Sequence, residues 1–523
     1  MIFRTAATTA ALAIVLAVLG AVTGPQWDPV PVTEHLQPAT SDTTIGGQPV
    51  GGTDPVGTYE VRETEVTVQL DGATVSALVR EPAGAEGDRP GVVFVHGAGT
   101  GTSTQAFVDI ATELASAGVI TLVPDKRLDT YTTRHRDYEQ MARDYERSLD
   151  LLRARPGVDA AQVGLYAESE GTWIAPVMAV DDSDVAFLAL VSAPVVPPRQ
   201  QAAFAVDSYL RNTDVPHGVF RAIPRAVGMA IPGGGFEYAD FDVEPFLERL
   251  TQPVLVVYGT ADPSMPVEQG AKQVIDAAAA NGNDAVTVRY YGGANHGIKV
   301  DDELVPEFPR DLAAWVQSLP DSGTAAPQVA GAQPEQQFVA GAVPTPRWLG
   351  NGDLLVALVV AAFVLLAVGP LVRLGGMVVA RARRSPGAPR RGLGHGFRVP
   401  LLGLGLGAAA TTVGLVVYLV AVARLALDYE KDAWVVQGGW IAVRLLGLAT
   451  LVAAAMLLNR AAEVRTARRA PADHARPVVP AGRVVASAVA QGATARVMLW
   501  CVVVGATVLL VVLAYWGVYQ LGI

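Results

Sequence analysis

Cysteine is nearly missing from this sequence. Cys501 is the only one in 523 residues, and it lies in an apolar run. An intramolecular disulfide and a cysteine-based metal site are both excluded, and cysteine usage therefore says nothing about compartment. The first 345 residues are short of positive charge, with 21 Lys+Arg against 44 Asp+Glu, a net of −23. A chain so acidic repels a phosphate backbone, so nucleic acid is not an expected partner. From Pro346 onward acid is the scarce class: 6 acidic residues face 18 basic ones, a net of +12. The apolar runs of that half also lack any polar pathway. Arg444 is the main charge inside them, open to a functional role or to snorkelling toward the outer surface.

Apolar residues are plentiful. They make up 51% of the chain, and the mean hydropathy is +0.32. Such values point to membrane spans, and the length calls for more than one domain. Arg4 precedes an uncharged run from Thr5 to about Val22, which reads as a secretory signal or signal anchor over residues 1–24. Residues 25–58 are rich in Pro, Thr and Gly and read as an extended lead-in. Residues 320–350 have the Ala/Pro/Gly composition of a linker. Four apolar stretches follow, about 354–374, 401–425, 435–458 and 497–521, each long enough to cross a hydrocarbon core of ~30 Å. Seven arginines lie in 372–399 and seven more in 460–496, while 428–432 is acidic apart from Lys431. The positive-inside rule then makes the arginine-rich loops cytoplasmic and leaves residues 59–319 outside. Gly403 and Gly407 form a G-x-x-x-G pair suited to close helix packing. The membrane half, 351–523, reads as an anchor or docking module, with a transporter or sensor as the competing role.

Between residues 59 and 319 strand-like and helix-like segments alternate. The short apolar runs 92–95, 120–123, 163–166, 187–191 and 254–258 suit strands buried on both faces. Amphipathic patterns such as 106–117 and 138–154 fall between them. A mainly parallel sheet with helices on both faces is expected, entered through a hairpin over 60–81.

The chemistry-bearing residues fall at the ends of these strands. Ala167-Glu168-Ser169-Glu170-Gly171 follows a strand and precedes a helical stretch. Small residues two before and two after the serine make room for a sharp turn that lifts its Oγ above the sheet edge. Val95-His96-Gly97-Ala98-Gly99 ends an earlier strand, and such a turn can aim a backbone N–H at an oxyanion. The expected donors are Ala98 and Glu170. Asp262 lies in Gly259-Thr260-Ala261-Asp262-Pro263, after a late strand, and Asp301 and Asp302 are substitutes. His296, in Gly292-Gly293-Ala294-Asn295-His296-Gly297, is the strongest base among seven histidines. His96 reads as structural, and His35, His135, His217, His395 and His474 lie in polar, irregular or cytoplasmic stretches. No metal or cofactor is called for.

Serine, aspartate and histidine in that chain order are the order of α/β hydrolases. With Phe94–Gly101, Val123-Pro124-Asp125-Lys126-Arg127, Gly259–Asp262 and Asn295–Gly297, these blocks resemble dienelactone-hydrolase/EstD-like esterases. Serine aminopeptidase and prolyl-oligopeptidase catalytic domains are nearby relatives. The resemblance covers about 59–319 and departs at Ala167, for the usual Gly, and at Leu128, where Gly is common. It implies an α/β-hydrolase fold and cleavage of esters or thioesters through an acyl-enzyme on Ser169, with Asp262 and His296 completing a triad. The expected partners are a small acyl ester substrate and the lipid bilayer. A peptidase-like amide hydrolase and a non-catalytic ligand-binding hydrolase fold are the alternatives. Residues 197–249 are expected to cap the site, with Phe204, Tyr209, Phe220 and the 233–235 glycines as candidate pocket residues or plain core.

Overall fold

The computed structural model describes residues 2–45, 53–99, 101–324, 326–383, 393–394, 396–427, 429–469, 489–490 and 492–520. Thr100, His395, His474, the arginines at 384, 390, 391, 476 and 483, and the end of the last expected span lie outside them. Contacts divide the chain into two units. One comprises Asp28–Ser208 and Gly235–Ala342; the other comprises Met1–Trp27, Tyr209–Gly234 and Val343–Ile523.

The first unit is built on one large sheet. Its strands are β1 (Val61–Leu70), β2 (Ala73–Pro82), β3 (Arg89–Val95), β4 (Ile120–Pro124), β5 (Val158–Glu168), β6 (Leu188–Val191), β7 (Val254–Gly259) and β8 (Val286–Tyr291). A small hairpin, β9 (Lys299–Val300) with β10 (Glu303–Leu304), stands apart, and β11 (Val329–Gly331) closes the chain order. The nine-stranded order is β1-β2-β4-β3-β5-β6-β7-β8-β11. β1 and β2 pair antiparallel through a two-residue Asp71-Gly72 turn, and Gly72 supplies the positive φ of 76° that it needs. β2 meets β4 antiparallel, and every later pair is parallel. Val92, Val93, Phe94 and Val95 are all buried, as a strand covered on both faces requires. Helices Tyr138–Arg153, Gly171–Asp181 and Val267–Ala280 supply Leu149, Ile174 and Val274 to the core on one face. Val108–Ser116 and Glu307–Gln317 supply Leu114 and Trp315 to the other. This strand order, with one antiparallel strand among parallel ones, is that of the α/β-hydrolase fold.

Two stretches whose composition reads as lead-in and linker pair with this sheet. β11 runs parallel to β8, and Gly331 sits where a Cβ would come within 2.0 Å of the Tyr290 carbonyl oxygen. The lead-in lies against β11: Ala39 N–H donates to Val329 O and Gly331 N–H donates to Thr40 O. Upstream, Val32 N–H donates to Gln337 O and Leu36 N–H to the buried Glu268. Main-chain pairing of this kind leaves no side-chain periodicity to read.

The second unit contains helices Ile2–Val22, Gly352–Arg383, Arg398–Leu427, Gly439–Arg469 and Ala493–Tyr515, the fourth preceded by a π turn over Trp434–Gly438. Five helices among the described residues are long and apolar enough to cross a membrane. Small residues permit their approach. A Cβ at Gly407 would lie 2.5 Å from Thr450 Oγ1, one at Gly403 would lie 3.1 Å from Ala453 Cβ, and one at Gly20 would lie 2.0 Å from Ala514 O. The middle of the expected cap, 209–234, belongs to this unit. Tyr209 donates to Glu430 O, Arg225 to Gly20 O and Pro25 O, and Ala230 N–H to Gly350 O. Tyr209 and Phe220 are buried here, while Phe204 and Gly235 belong to the sheet unit.

Candidate active site

Register holds the carboxyl ends of the central strands level. Val95 faces Ala167, Glu168 faces Val191, Val191 faces Val257, and Gly259 faces Tyr291. From β3 the chain goes to β4 on one side and then to β5 on the other. The edge between β3 and β5 is therefore the switch point where α/β sheets place their ligands.

Ser169 stands at that point. Its φ is 54°, a left-handed conformation that costs a non-glycine residue about 1–3 kcal/mol and recurs at functional sites. Its N–H donates to Val191 O, and its carbonyl accepts from Thr172 N–H and Oγ1 as the next helix begins. A Cβ at Gly171 would lie 2.4 Å from Val95 O, so only glycine lets the helix start pass beneath β3. Ala167 is fully buried in the core, where its methyl replaces the more usual hydrogen. The turn after β3 runs alongside: a Cβ on Gly97 would be 3.3 Å from Ser169 Cβ and 3.9 Å from Oγ. Neither Ala98 N–H nor Glu170 N–H donates a hydrogen bond among the described residues. Two unengaged amides beside a strained serine are what an oxyanion site needs.

Asp262 and His296 are brought together. His296 Nδ1 lies 2.7 Å from Asp262 Oδ2, while Asp262 Oδ1 accepts from Ser264 N–H and Oγ. The carboxylate is fully buried, and the imidazole side chain is 37% exposed. Gly259 makes the approach possible, because a Cβ there would lie 2.3 Å from Ala294 O and 2.5 Å from Asn295 O. Ser192 ties this loop to the serine's neighbourhood. It directly follows β6 as Ser169 follows β5, and its Oγ donates to His296 O. Neighbouring strands lie ~4.8 Å apart, so the loop sits about one strand from Ser169. Ser169 Oγ and the imidazole share no hydrogen bond in this structure. Such bonds often tighten only when substrate binds.

The electrostatics suit proton transfer. Burial opposes a charged His296, but the Asp262 carboxylate, its hydrogen bond and the field of Glu168 together raise the imidazole above its ordinary 6.5. Burial likewise opposes the Asp262 charge, and its bonds to His296 and Ser264 still hold it below the usual carboxylate range. An imidazole held in this way can accept a hydroxyl proton and return it. Of the two glutamates flanking Ser169, Glu170 has its charge compensated by ion pairs. Burial raises Glu168. Glu170, fully buried, is paired to Lys126 at 2.8 Å and to Arg136, with Tyr131 and Tyr138 hydroxyls donating to it. Tyr131 is pushed up to about 12, first by burial and then by Glu170, and so remains a donor.

The other candidates lie elsewhere. Asp301 and Asp302 form the exposed turn between β9 and β10. His96 is buried with Nε2 on Pro124 O, and burial lowers it to about 4, in keeping with a structural part. His135 pairs with Glu237, His35 with Glu268, and the His217 ring lies tilted against Phe220. Ser192, Tyr131 and Arg136 escaped the sequence reading because they lie in irregular loops. Ser264 was within reach, since a serine two residues after an aspartate often bonds back to it.

Residues 143–320 match a family described as BAAT / Acyl-CoA thioester hydrolase C terminal, a range that contains Ser169, Asp262 and His296. No curated protein matches the chain. Three solved structures illustrate the likeness. A protein described as a dipeptidyl aminopeptidase IV from Bacteroides ovatus is 15% identical over 51% of this chain and 36% of its own, with a TM-score of 0.35. This chain thus spans about a third of that relative's length. A protein described as a dienelactone hydrolase from Klebsiella pneumoniae is 16% identical over 50% of this chain and 98% of its own, at 0.35. An esterase from the archaeon Pyrobaculum calidifontis is 19% identical over 51% and 85%, at 0.36. The strand order gives the sheet unit the α/β-hydrolase fold, in keeping with the matched family.

Proposed function

We propose that this chain is a membrane-anchored serine hydrolase that cleaves carboxylic esters or thioesters on the extracytoplasmic side, through an acyl-enzyme on Ser169. One observation carries the reading. A left-handed serine beside two unengaged amides shares a sheet edge with an imidazole fixed on a buried carboxylate.

In the first half-reaction His296 takes the Ser169 proton as Oγ attacks the carbonyl carbon. The tetrahedral oxyanion is received by the amides of Ala98 and Glu170, each typically worth ~3 kcal/mol of transition-state stabilisation. Asp262 holds the tautomer that leaves Nε2 free and stabilises the imidazolium. Collapse of the intermediate expels the alcohol or thiol, which takes the proton from His296. Water, activated by the same imidazole, then attacks the acyl carbon and restores Ser169.

The membrane part rests on the five apolar helices and on the arginine-rich loops that the positive-inside rule assigns to the cytoplasm. Ile2–Val22 packs against Gly439–Arg469 and Ala493–Tyr515, which favours a retained anchor over a cleaved signal. The match to an acyl-CoA thioester hydrolase family supports thioesters beside esters. The test is a panel of acyl p-nitrophenyl esters, acyl thioesters and aminoacyl amides, assayed with wild type and Ser169→Ala. Ester or thioester turnover lost in the variant supports the reading. Turnover of amides alone replaces it with a peptidase, and no turnover of any class rejects it.

A further inference from the structure

We propose that Lys126 is a positioning residue for the oxyanion site, its buried ammonium aiming the Ala98 N–H and tying down the residue that carries the second donor. This rests on Ser169 being the nucleophile.

The geometry follows from one peptide unit. Gly97 C=O and Ala98 N–H belong to the same planar trans amide, so oxygen and hydrogen point in opposite directions. Lys126 Nζ donates to Gly97 O at 2.6 Å. Whatever fixes that oxygen fixes the N–H on the far side of the plane. A full positive charge on the carbonyl also polarises the amide and strengthens its N–H as a donor. The unit is next to the reaction, as the 3.9 Å from a Gly97 Cβ to Ser169 Oγ attests.

The same ammonium lies 2.8 Å from Glu170 Oε2, so one cation holds both donor-bearing segments. Tyr131 closes the ring. Its hydroxyl accepts from Gly99 N–H at 3.2 Å and donates to Glu170 Oε2 at 2.9 Å, while its ring lies 4.0 Å under the Lys126 charge. Ala98 is thus pinned through the carbonyl before it and the amide after it. Lys126 and Glu170 side chains are each 1% exposed. A buried ion pair adds little net stability, which leaves orientation as the property it supplies. The point charge of an ammonium suits the role better than a planar guanidinium fork.

The decisive variant is Lys126→Met in the full-length, detergent-solubilised protein. Arg136 stays paired with Glu170, so no lone carboxylate is buried. For p-nitrophenyl butyrate, kcat should fall about 100-fold, the range seen when one oxyanion donor is lost, with KM unchanged. The inhibition constant of an alkyl trifluoromethyl ketone, whose adduct carries an oxyanion, should rise by the same factor. Tyr131→Phe, which removes one hydroxyl, should show the same paired losses at about 10-fold, a single hydrogen bond's worth. A merely structural lysine would lower Tm and leave kcat per labelled molecule and ketone affinity at wild-type values, and that result overturns the proposal. If Lys126→Met does not fold, Tyr131→Phe decides: paired losses support the assignment, and wild-type values reject it. Wild type that neither labels at Ser169 nor turns over the ester overturns the nucleophile reading instead, a distinguishable failure.

Discussion

Replacing Gly171 by alanine should damage both turnover and stability. The new Cβ would stand 2.4 Å from Val95 O, 3.0 Å from Val95 C and 3.1 Å from His96 O. All three are backbone atoms, so no rotamer change relieves the overlap. Ordinary contact begins at 3.4 Å, and the start of the helix must therefore move away from the end of β3 by about 1 Å. Ser169 and the Glu170 amide ride on that turn, while the Gly97–Ala98 turn stays with β3. Nucleophile and oxyanion donors are pulled apart, and a misplacement of 1 Å costs on the order of 100-fold in rate. Overpacking one methyl costs about 1–3 kcal/mol, a fall in Tm of several degrees. Steady-state ester hydrolysis and thermal unfolding read the two effects separately. Gly341→Ala is the control, because nothing lies within 4 Å of the Cβ it adds. A Gly171→Ala protein with wild-type kcat and Tm would refute the close passage of the turn under β3.

Asp262→Asn should lower kcat by about 10⁴, since the imidazole loses its partner and correct tautomer, with circular dichroism unchanged. In wild type kcat/KM should rise with pH and reach half its plateau above 6.5, because acylation needs neutral His296 and its pKa is raised. The inflection should move down in Asp262→Asn, and a wild-type inflection below 6.5 contradicts the assignment. Gly20→Leu should destabilise the helical unit, as a Cβ there already lies 2.0 Å from Ala514 O. Lower Tm in detergent is the expected readout. An unaffected mature protein whose N-terminus starts beyond residue 24 would show instead that the segment is removed.

Much of the sheet unit was legible because buried parallel strands write themselves as apolar runs. Residues 92–95 and 254–258 needed no more than that pattern and the glycines after them. The positions of Ser169, Asp262 and His296 followed from strand ends, since a parallel sheet delivers every carboxyl end to one edge. Largely main-chain pairing hid β11 and the lead-in beside it. The insertion mixes Pro, Gly, Phe and amphipathic pieces, yet 209–234 packs with apolar helices, a partition that local sequence does not encode. Arg225 shows why: it is buried against Gly20 O, a partner 205 residues away. The clamp on Glu170 was half visible. Asp125-Lys126-Arg127 is legible as charge at a strand end, either solvated or paired with Glu168 or Glu170, but Tyr131 and Arg136 come from a loop without periodicity.

One experiment bears most directly on the mechanism: a fluorophosphonate probe applied to the solubilised full-length chain, followed by peptide mapping of the adduct. A single adduct on Ser169, absent in Ser169→Ala and slowed in Asp262→Asn, is the expected result. Folded wild-type protein that takes no label, or takes it on another residue, would mean that the serine turn is architecture without nucleophilic chemistry.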